Sequence, residues 1–292
     1  MMRAKQRKVM ITGAEGMLGA DLVPRLEKVK GLEIERATID DLDITELARV
    51  RDRMLAVKPD IVIHCAAYTA VDEAEEEQHT AYLVNACGTK NIAFFCRELG
   101  AEMYYVSTDY VFNGDSDQHY LETDKVNPIN AYGSTKQAGE RFVQDLVERH
   151  KICRTSWLCG VHGPNFIETI LKLAKRQKTI KVINDQVGRP TFTVDLAEQI
   201  AQLLDVEEYG IFHLTNSGYC TWYRFACQII ELAGVEGVSV RPITTEEFRS
   251  LAKRPKFSVL ENKRFAELGL KSAPHWEDGL KRYLASRPGN ET

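Results

Sequence analysis

Lys8-Val9-Met10-Ile11-Thr12-Gly13-Ala14-Glu15-Gly16-Met17-Leu18-Gly19 begins as an apolar, β-branched run and stops in glycines at every third position. Leu18, Leu22 and Leu26 then recur at the spacing of one helix face. Strand, glycine turn and helix in that order are the setting in which a dinucleotide fingerprint carries meaning. Glycine permits the tight turn and lets the backbone approach a pyrophosphate, which rests against the free amides of the helix N-terminus. Gly13, Gly16 and Gly19, with Met17 and Leu18 between them, are therefore candidate cofactor contacts. The spacing is G-x-x-G-x-x-G rather than G-x-G-x-x-G, and an ordinary strand-to-helix turn would use the same residues.

Downstream, Leu32-Glu33-Ile34-Glu35-Arg36-Ala37 alternates as a second strand. In a nucleotide fold its end faces the adenosine ribose, where a carboxylate accepts from the 2'-hydroxyl and an arginine accommodates a 2'-phosphate. Arg36 and Asp43-Ile44 offer both, so NADH and NADPH are both open. Asp43-Ile44-Thr45 also reads as a cap for the next helix, supplied by Thr45. Pro59-Asp60-Ile61-Val62-Ile63-His64-Cys65-Ala66-Ala67 is a continuous apolar strand of the fully buried parallel type, and small residues at its end, Ala66 and Ala67, leave room for a ligand. His64 has no second ligand-type residue at metal spacing and reads as a satisfied strand histidine. Tyr68 and Thr69 open the loop over the cleft. Asn85, among apolar neighbours of the following helix, offers an inward polar group that orients backbone or water below it.

Glu102-Met103-Tyr104-Tyr105-Val106-Ser107-Thr108 ends in hydroxyls. Parallel α/β sheets bind ligands at the carboxyl ends of their strands, which brings Val106 and Thr108 to the cleft, although both hydroxyls would equally cap the turn. Asn127-Pro128 turns the chain back. Asn130-Ala131-Tyr132-Gly133-Ser134-Thr135-Lys136 then opens a helix on which Tyr132 and Lys136, four apart, share a face. A free phenol titrates near ~10. An adjacent ammonium is expected to lower that value and make Tyr132 a proton donor at neutral pH. The spacing alone also arises on any amphipathic helix.

With 292 residues, 44% of them hydrophobic, the chain can bury a sizeable core. A formal net charge of -4 gives no basic imbalance for a polyanion, so nucleic acid is not an expected partner. Arg3-Ala4-Lys5-Gln6-Arg7-Lys8 is basic, but the apolar run after it is too short for a signal peptide or a membrane span, and no membrane partner is expected. Seven scattered cysteines without a C-x-x-C pair suit a reducing compartment and offer no zinc site, which points to the cytoplasm. Asn290-Glu291-Thr292 matches a glycosylation triplet but carries no weight without an export signal.

Repeated strand-helix alternation with long apolar strands gives an α/β fold class, a doubly wound parallel Rossmann sheet. Ile152 to Leu158 adds a strand, and beyond it the pattern changes to a helix from Phe166 to Lys175, Ile180-Lys181-Val182-Ile183, a helix from Asp195 to Leu204 and a strand from Gly210 to Leu214. The tail after Thr221 reads as mostly helical, with loops at Arg241-Pro242, Arg254-Pro255 and Ala273-Pro274. The expected division is a nucleotide-binding domain, 8–160 plus about 189–218, and a smaller, mostly helical C-terminal substrate-binding domain, about 161–188 plus 219–292.

Gly13-x-x-Gly16-x-x-Gly19, Thr108 and Tyr132-x-x-x-Lys136 in this order resemble the extended short-chain dehydrogenase/reductases. Ala66 to Asp72, Ser107 to Phe112, Arg154-Thr155-Ser156-Trp157, Asp185-Gln186-x-Gly188-x-Pro190-Thr191 and Arg254-Pro255 are similar, within that superfamily, to the dTDP-4-dehydrorhamnose reductase family. The resemblance runs from residue 8 to about 285. It implies NAD(P)H-dependent reduction of dTDP-4-dehydro-β-L-rhamnose at C4 to dTDP-L-rhamnose. Tyr132 would protonate the oxyanion, Lys136 would tune the phenol and hold the nicotinamide ribose, and Thr108 would bond the same oxygen. The implied cofactor contacts are the glycine turn with Arg36, Asp43, Ile44, Ala66, Ala67, Tyr68, Asn85, Val106, Tyr132 and Lys136. The implied dTDP-sugar contacts are Thr69, Thr108, Asp109, Trp157 as a flat apolar face, and Gln186, Arg189 and Arg254 toward the diphosphate, whose geometry guanidinium groups suit.

Related dehydratases carry an Asp-Glu couple after the threonine, whereas this chain has Thr108-Asp109-Tyr110, which disfavours dehydration. Some reductases of the family dimerise through a divalent ion held by glutamates. Asp21 and the neighbourhood of Val194 stand at the corresponding places, so Mg2+ lacks support, and monomer and homodimer both remain open. The methionine adenosyltransferase beta subunit has the same fold without requiring turnover. A regulatory nucleotide-binding subunit and another nucleotide-sugar epimerase or reductase are therefore the alternatives.

Overall fold

Strands β1 (Arg7–Thr12), β2 (Leu32–Ala37), β3 (Ile61–His64), β4 (Glu102–Thr108) and β5 (His150–Thr155) join a last strand, Gly210–His213, in one sheet. All neighbouring pairs are parallel, and the order is the last strand, β5, β4, β3, β1, β2. The chain runs from β1 outward to β2 and then returns to the other side of β1 with β3, which opens a crevice at the carboxyl ends of β1 and β3. The computed structural model describes residues 6–287; the first part of the basic lead-in and the Asn290 triplet lie outside the described residues.

Both faces of the sheet are covered. Val9, Ile11, Ile61 and Ile63 pack with Leu22, Leu26, Ile200 and Phe212 on one side. Met10, Val62, Met103 and Ile152 pack with Val50, Met54, Ile92 and Val143 on the other. Alternate residues of one strand thus enter different cores, which is why these strands read as continuous apolar runs. The expected doubly wound parallel sheet is the observed architecture.

A second core gathers Ile167 and Ile170 of the Phe166–Ala174 helix, Phe225 and Ile229 of the Trp222–Leu232 helix, and Trp276, Leu280 and Leu284 of the Trp276–Ser286 helix. Beside it Thr179–Ile183 pairs in parallel with Ser239–Ile243. Arg241-Pro242 therefore lies in a strand and not in the expected loop; a two-stranded pair leaves an outer edge where proline's missing N–H does no harm. Phe265, from the Lys263–Glu267 helix, is buried in the first core with Leu196 and Phe212. Part of the tail expected in the second domain thus packs on the nucleotide half. Among the described residues no helix is long and apolar enough to cross a membrane.

His64 is satisfied within the sheet, as its neighbours suggest, with Nδ1 2.6 Å from Thr12 Oγ1 and Nε2 3.1 Å from Thr89 Oγ1. Burial, then the Lys136 charge, pushes its pKa down to about 3. The unfolded chain takes up this proton near pH ~6.5, so stability contributed by the neutral ring is present above that pH and is lost as pH falls toward the folded value. Wild type should be more stable than His64→Gln at pH 7, and the gap in unfolding midpoint should shrink between pH 6.5 and 4. A gap independent of pH over that range would show that the ring is not held neutral.

Candidate active site

Asn130, in extended conformation, caps the Ala131–Leu146 helix by accepting from Gly133 N at 2.7 Å. Gly133 has to be glycine, because a Cβ there would stand 2.1 Å from the Tyr110 carbonyl oxygen. This close approach seats the first turn of the helix on the 3-10 turn Asp109–Val111 that follows β4, and so brings Tyr132 to Thr108. Both residues line a cleft of about 740 Å³ at the carboxyl ends of the strands. The same cleft collects Gly13, Gly16, Met17, Leu18, Gly19, Asp43, Ile44, Ala66, Ala67, Tyr68, Thr69, Val106, Asp109, Lys136 and Trp157 from the sequence reading. A second hollow, about 630 Å³, lies at the opposite ends of the strands among Arg7, Asp60, Glu102 and Arg149, far from the tyrosine.

The glycine turn fits a dinucleotide. Gly13 has φ +65°, and a Cβ on it would sit 2.8 Å from Ala66 N; one on Gly19 would sit 2.2 Å from Gly13 O. These two glycines close the turn on itself and on the end of β3. A Cβ on Gly16 would meet only Gly13 O, at 3.1 Å, so the middle glycine faces open cleft. The buried Thr155 Oγ1 also lines the cleft and has no hydrogen-bond partner among the described residues.

Lys136 is buried, donates to the Val106 carbonyl at 2.8 Å and lies 4.1 Å from the centre of the Tyr105 ring. Burial lowers its pKa to about 7, against the pull of Glu140. The expected lowering of the Tyr132 phenol by Lys136 is absent. Burial, followed by the Asp109 charge, pushes Tyr132 upward, and only the Thr108 hydrogen bond opposes them. The shared helix face is real, but the ammonium is directed to a backbone carbonyl. One turn further along the helix, Glu140 accepts from Ser107 Oγ at 2.6 Å and from Arg154 Nε and Nη2 at 2.9 and 2.8 Å, tying the helix to β4 and β5.

Asn85 lies beneath the cleft wall, not in it. It accepts from Tyr68 N at 2.8 Å and donates to Tyr68 O and Thr135 Oγ1 at 3.0 Å, which orients backbone below the site as expected. The turn that carries it, Leu83–Gly88, is a π-helix, a local widening that often accompanies functional sites. Asp43 accepts from Thr45 N and Oγ1 at 2.9 and 2.7 Å, so Thr45 is occupied locally, and the next helix, Leu47–Val57, has Glu46 as its N-cap and no side-chain cap.

Five expected contacts stand differently. Arg36 is exposed, donates to Glu27 at 2.7 Å and does not line the cleft. Gln186 is buried and donates to Thr245 Oγ1 at 3.1 Å, while Arg189, also buried, faces Thr215 Oγ1 at 3.5 Å and Glu261 at 3.6 Å; neither lines the cleft. Trp157 is at the cleft, but its indole stacks on Trp222 with centroids 3.4 Å apart, so the face expected to be open is covered. Trp222 also lines the cleft, and the sequence reading missed it; its signal is a large aromatic residue at a helix start just after the capping Thr221. Arg254 pairs with Asp72 at 2.6 and 3.0 Å and does not itself line the cleft, although it lies near Tyr110, which does.

A parallel sheet whose switch-point crevice holds a glycine turn, a buried Thr108 and Lys136 and a half-buried Tyr132 has the make-up of a nucleotide-dependent oxidoreductase of the short-chain dehydrogenase/reductase class. Residues 7–287 match the RmlD substrate binding domain family, and the chain belongs to it. A dTDP-4-keto-6-deoxy-D-glucose reductase of Streptomyces niveus is 41% identical over 93% of this chain and 94% of its own length. The crystal structure of a dTDP-4-dehydrorhamnose reductase from Clostridium acetobutylicum matches with a TM-score of 0.92 at 45% identity, over 95% of this chain and 98% of that one. A dTDP-4-dehydrorhamnose reductase from Bacillus anthracis, in complex with NADP, matches with a TM-score of 0.91 at 41% identity, over 96% and 99%.

Proposed function

We propose that this chain is an NAD(P)H-dependent reductase of the C4 ketone in a dTDP-linked 4-keto-6-deoxy sugar, and that the sugar is dTDP-4-dehydro-β-L-rhamnose. The observation that carries the chemistry is the half-buried phenol of Tyr132, set beside Thr108 in a cleft that also holds Lys136 and the glycine turn. Relatives named for dTDP-keto-sugars support the substrate class. The NADP in the Bacillus anthracis relative supports NADPH as cofactor.

When bound, a nicotinamide supplies the hydride, and the chain supplies orientation and the proton. Tyr132 keeps its proton, because burial disfavours the phenolate, until charge develops on the carbonyl oxygen beside it. Thr108 fixes the direction of the phenol. Lys136, anchored through Val106 O, presents its remaining protons to a cofactor ribose. Arg254 exchanges Asp72 for the oxygens of the diphosphate, and Trp157 and Trp222 border the sugar. Gln186 and Arg189 contribute by holding the segments around Thr245 and Thr215.

Loss of NADPH absorbance on adding dTDP-4-dehydro-β-L-rhamnose, with dTDP-L-rhamnose as product, is the expected result. Turnover of dTDP-4-keto-6-deoxy-D-glucose alone would replace the substrate, and turnover of neither, with NADPH bound, would overturn the reductase reading.

A further inference from the structure

Asn130 commits the two ends of its side chain to different parts of the protein. It is 6% exposed, and its Oδ1 accepts from Gly133 N at 2.7 Å, the cap of the helix that carries Tyr132. With the oxygen given to an N–H, the amide nitrogen has to face the other way, and there it donates to the Lys253 carbonyl at 2.8 Å. Capping accounts for the oxygen alone. Serine caps a helix about as well as asparagine, so the second bond is what asparagine adds at this position.

Lys253 stands between two residues that reach back to Asp72. Ala252 N donates to Asp72 Oδ1 at 3.0 Å, and Arg254 donates to both carboxylate oxygens, at 3.0 and 2.6 Å. Asp72 in turn precedes the short helix Glu73–Glu76, from which Glu75 Oε1 accepts from Ala131 N at 2.8 Å. The loop over the cleft, the start of the Tyr132 helix and the tail around Arg254 thus close a ring of hydrogen bonds. Phe248 and Leu251, on the approach to Lys253, are exposed, so burial of large side chains does little to fix this stretch. The Arg254–Asp72 pair is the link that a diphosphate would break. The Asp72 side chain is 42% exposed, and a solvated ion pair is worth little. Once Arg254 has turned away, Ala252 N and the Asn130–Lys253 bond are what keep the segment in place.

We propose that Asn130 is a positioning residue for the sugar nucleotide: it holds the tail when Arg254 leaves Asp72, and it sets the distance of that tail from Tyr132. This rests on the reading of Arg254 as the diphosphate contact and of Tyr132 as the proton donor. The chemistry of the substrate gives the reason for such a strut. The diphosphate hangs on C1 and the ketone is at C4, across the sugar ring from each other, so the group that grips one has to be registered against the group that protonates the other. A single amide bonded to both segments does this without touching the substrate.

Asn130→Ser keeps an oxygen for Gly133 N but is one atom too short for the Lys253 carbonyl. In this variant the Kd for dTDP, measured by calorimetric titration, should rise roughly three- to tenfold, the worth of one hydrogen bond. KM for the keto-sugar should rise with it while kcat changes less, and the Kd for NADPH, which depends on the glycine turn, should stay near that of the wild type. Asn130→Ala, which removes the cap as well, should add a fall in kcat, because Tyr132 lies in the first turn of the helix. A serine variant with the wild-type Kd for dTDP and the wild-type KM, whether or not its urea midpoint falls, would overturn the proposal and leave Asn130 a cap. Should the serine variant fail to fold, amide hydrogen exchange of the wild type decides: dTDP should protect residues 132–135 together with 251–255, and protection of the tail alone sinks the strut. Wild type that binds dTDP but reduces neither keto-sugar fails the reductase reading, and weaker dTDP binding by the serine variant then still supports the strut. Wild type that reduces a keto-sugar beside an unchanged serine variant fails only the strut.

Discussion

Tyr132→Phe is expected to lower turnover by on the order of 10²- to 10⁴-fold, the usual contribution of a positioned general acid, with NADPH affinity near that of the wild type. The two effects separate because they arise at different places in the cleft. Phenylalanine keeps the ring, and with it the edge contact to Tyr110 at 5.8 Å between centroids, so the helix start is undisturbed. What disappears is one O–H group, beside Thr108 in the cleft. The glycine turn that would hold the pyrophosphate lies on another element and is untouched. Initial rates of NADPH consumption and a direct titration of NADPH binding measure both quantities. Turnover within a factor of two of wild type would remove Tyr132 from the chemistry.

Glu140→Ala should be the most destabilising single change near the site, lowering unfolding free energy by about 3–5 kcal/mol, the range for breaking a buried ion pair. Arg154 and Glu140 are 2% and 3% exposed, and Arg154 Nη1 already lacks a hydrogen-bond partner among the described residues. Truncating Glu140 strands a buried guanidinium and the Ser107 hydroxyl together. Urea unfolding gives the value. Because the loss is that of an orphaned charge, Glu140→Leu combined with Arg154→Met should recover most of it; a double variant as unstable as the single one would show that the cost lies elsewhere. Glu140 also raises the Lys136 pKa, so the single variant leaves Lys136 with more neutral amine at pH 7.

The sheet was readable because buried parallel strands leave little ambiguity: Val9-Met10-Ile11 and Ile61-Val62-Ile63 have nowhere polar to face. Asn130, Tyr132 and Lys136 were readable because a cap and a helical spacing are local. The direction of Lys136 was not, since its acceptor belongs to Val106, thirty residues away on another element. Gln186 and Arg189 show the same limit from the opposite side. Their side-chain types suit anions, yet in the fold they turn inward to Thr245, Thr215 and Glu261. The Trp157-Trp222 stack joins two distant segments, and no pattern around either residue announces the other. The high pKa of Asp109 follows from burial and from cations occupied elsewhere, which only the assembled cleft determines.

The interleaving of the two cores bears on how the chain is made. A ribosome releases β1 to β5 early, yet the face carrying Val9 and Ile11, with Leu22 and Leu26 already on it, is not fully covered until Leu196, Phe212 and finally Phe265 have emerged. The second core begins at Cys159 and waits for Leu280 and Leu284. Proteins built of separable domains commonly complete the first while the second is still being synthesised. Here the first core is completed only by Phe265 and the second only by Leu284, so neither of these two can close far ahead of the other as the chain emerges.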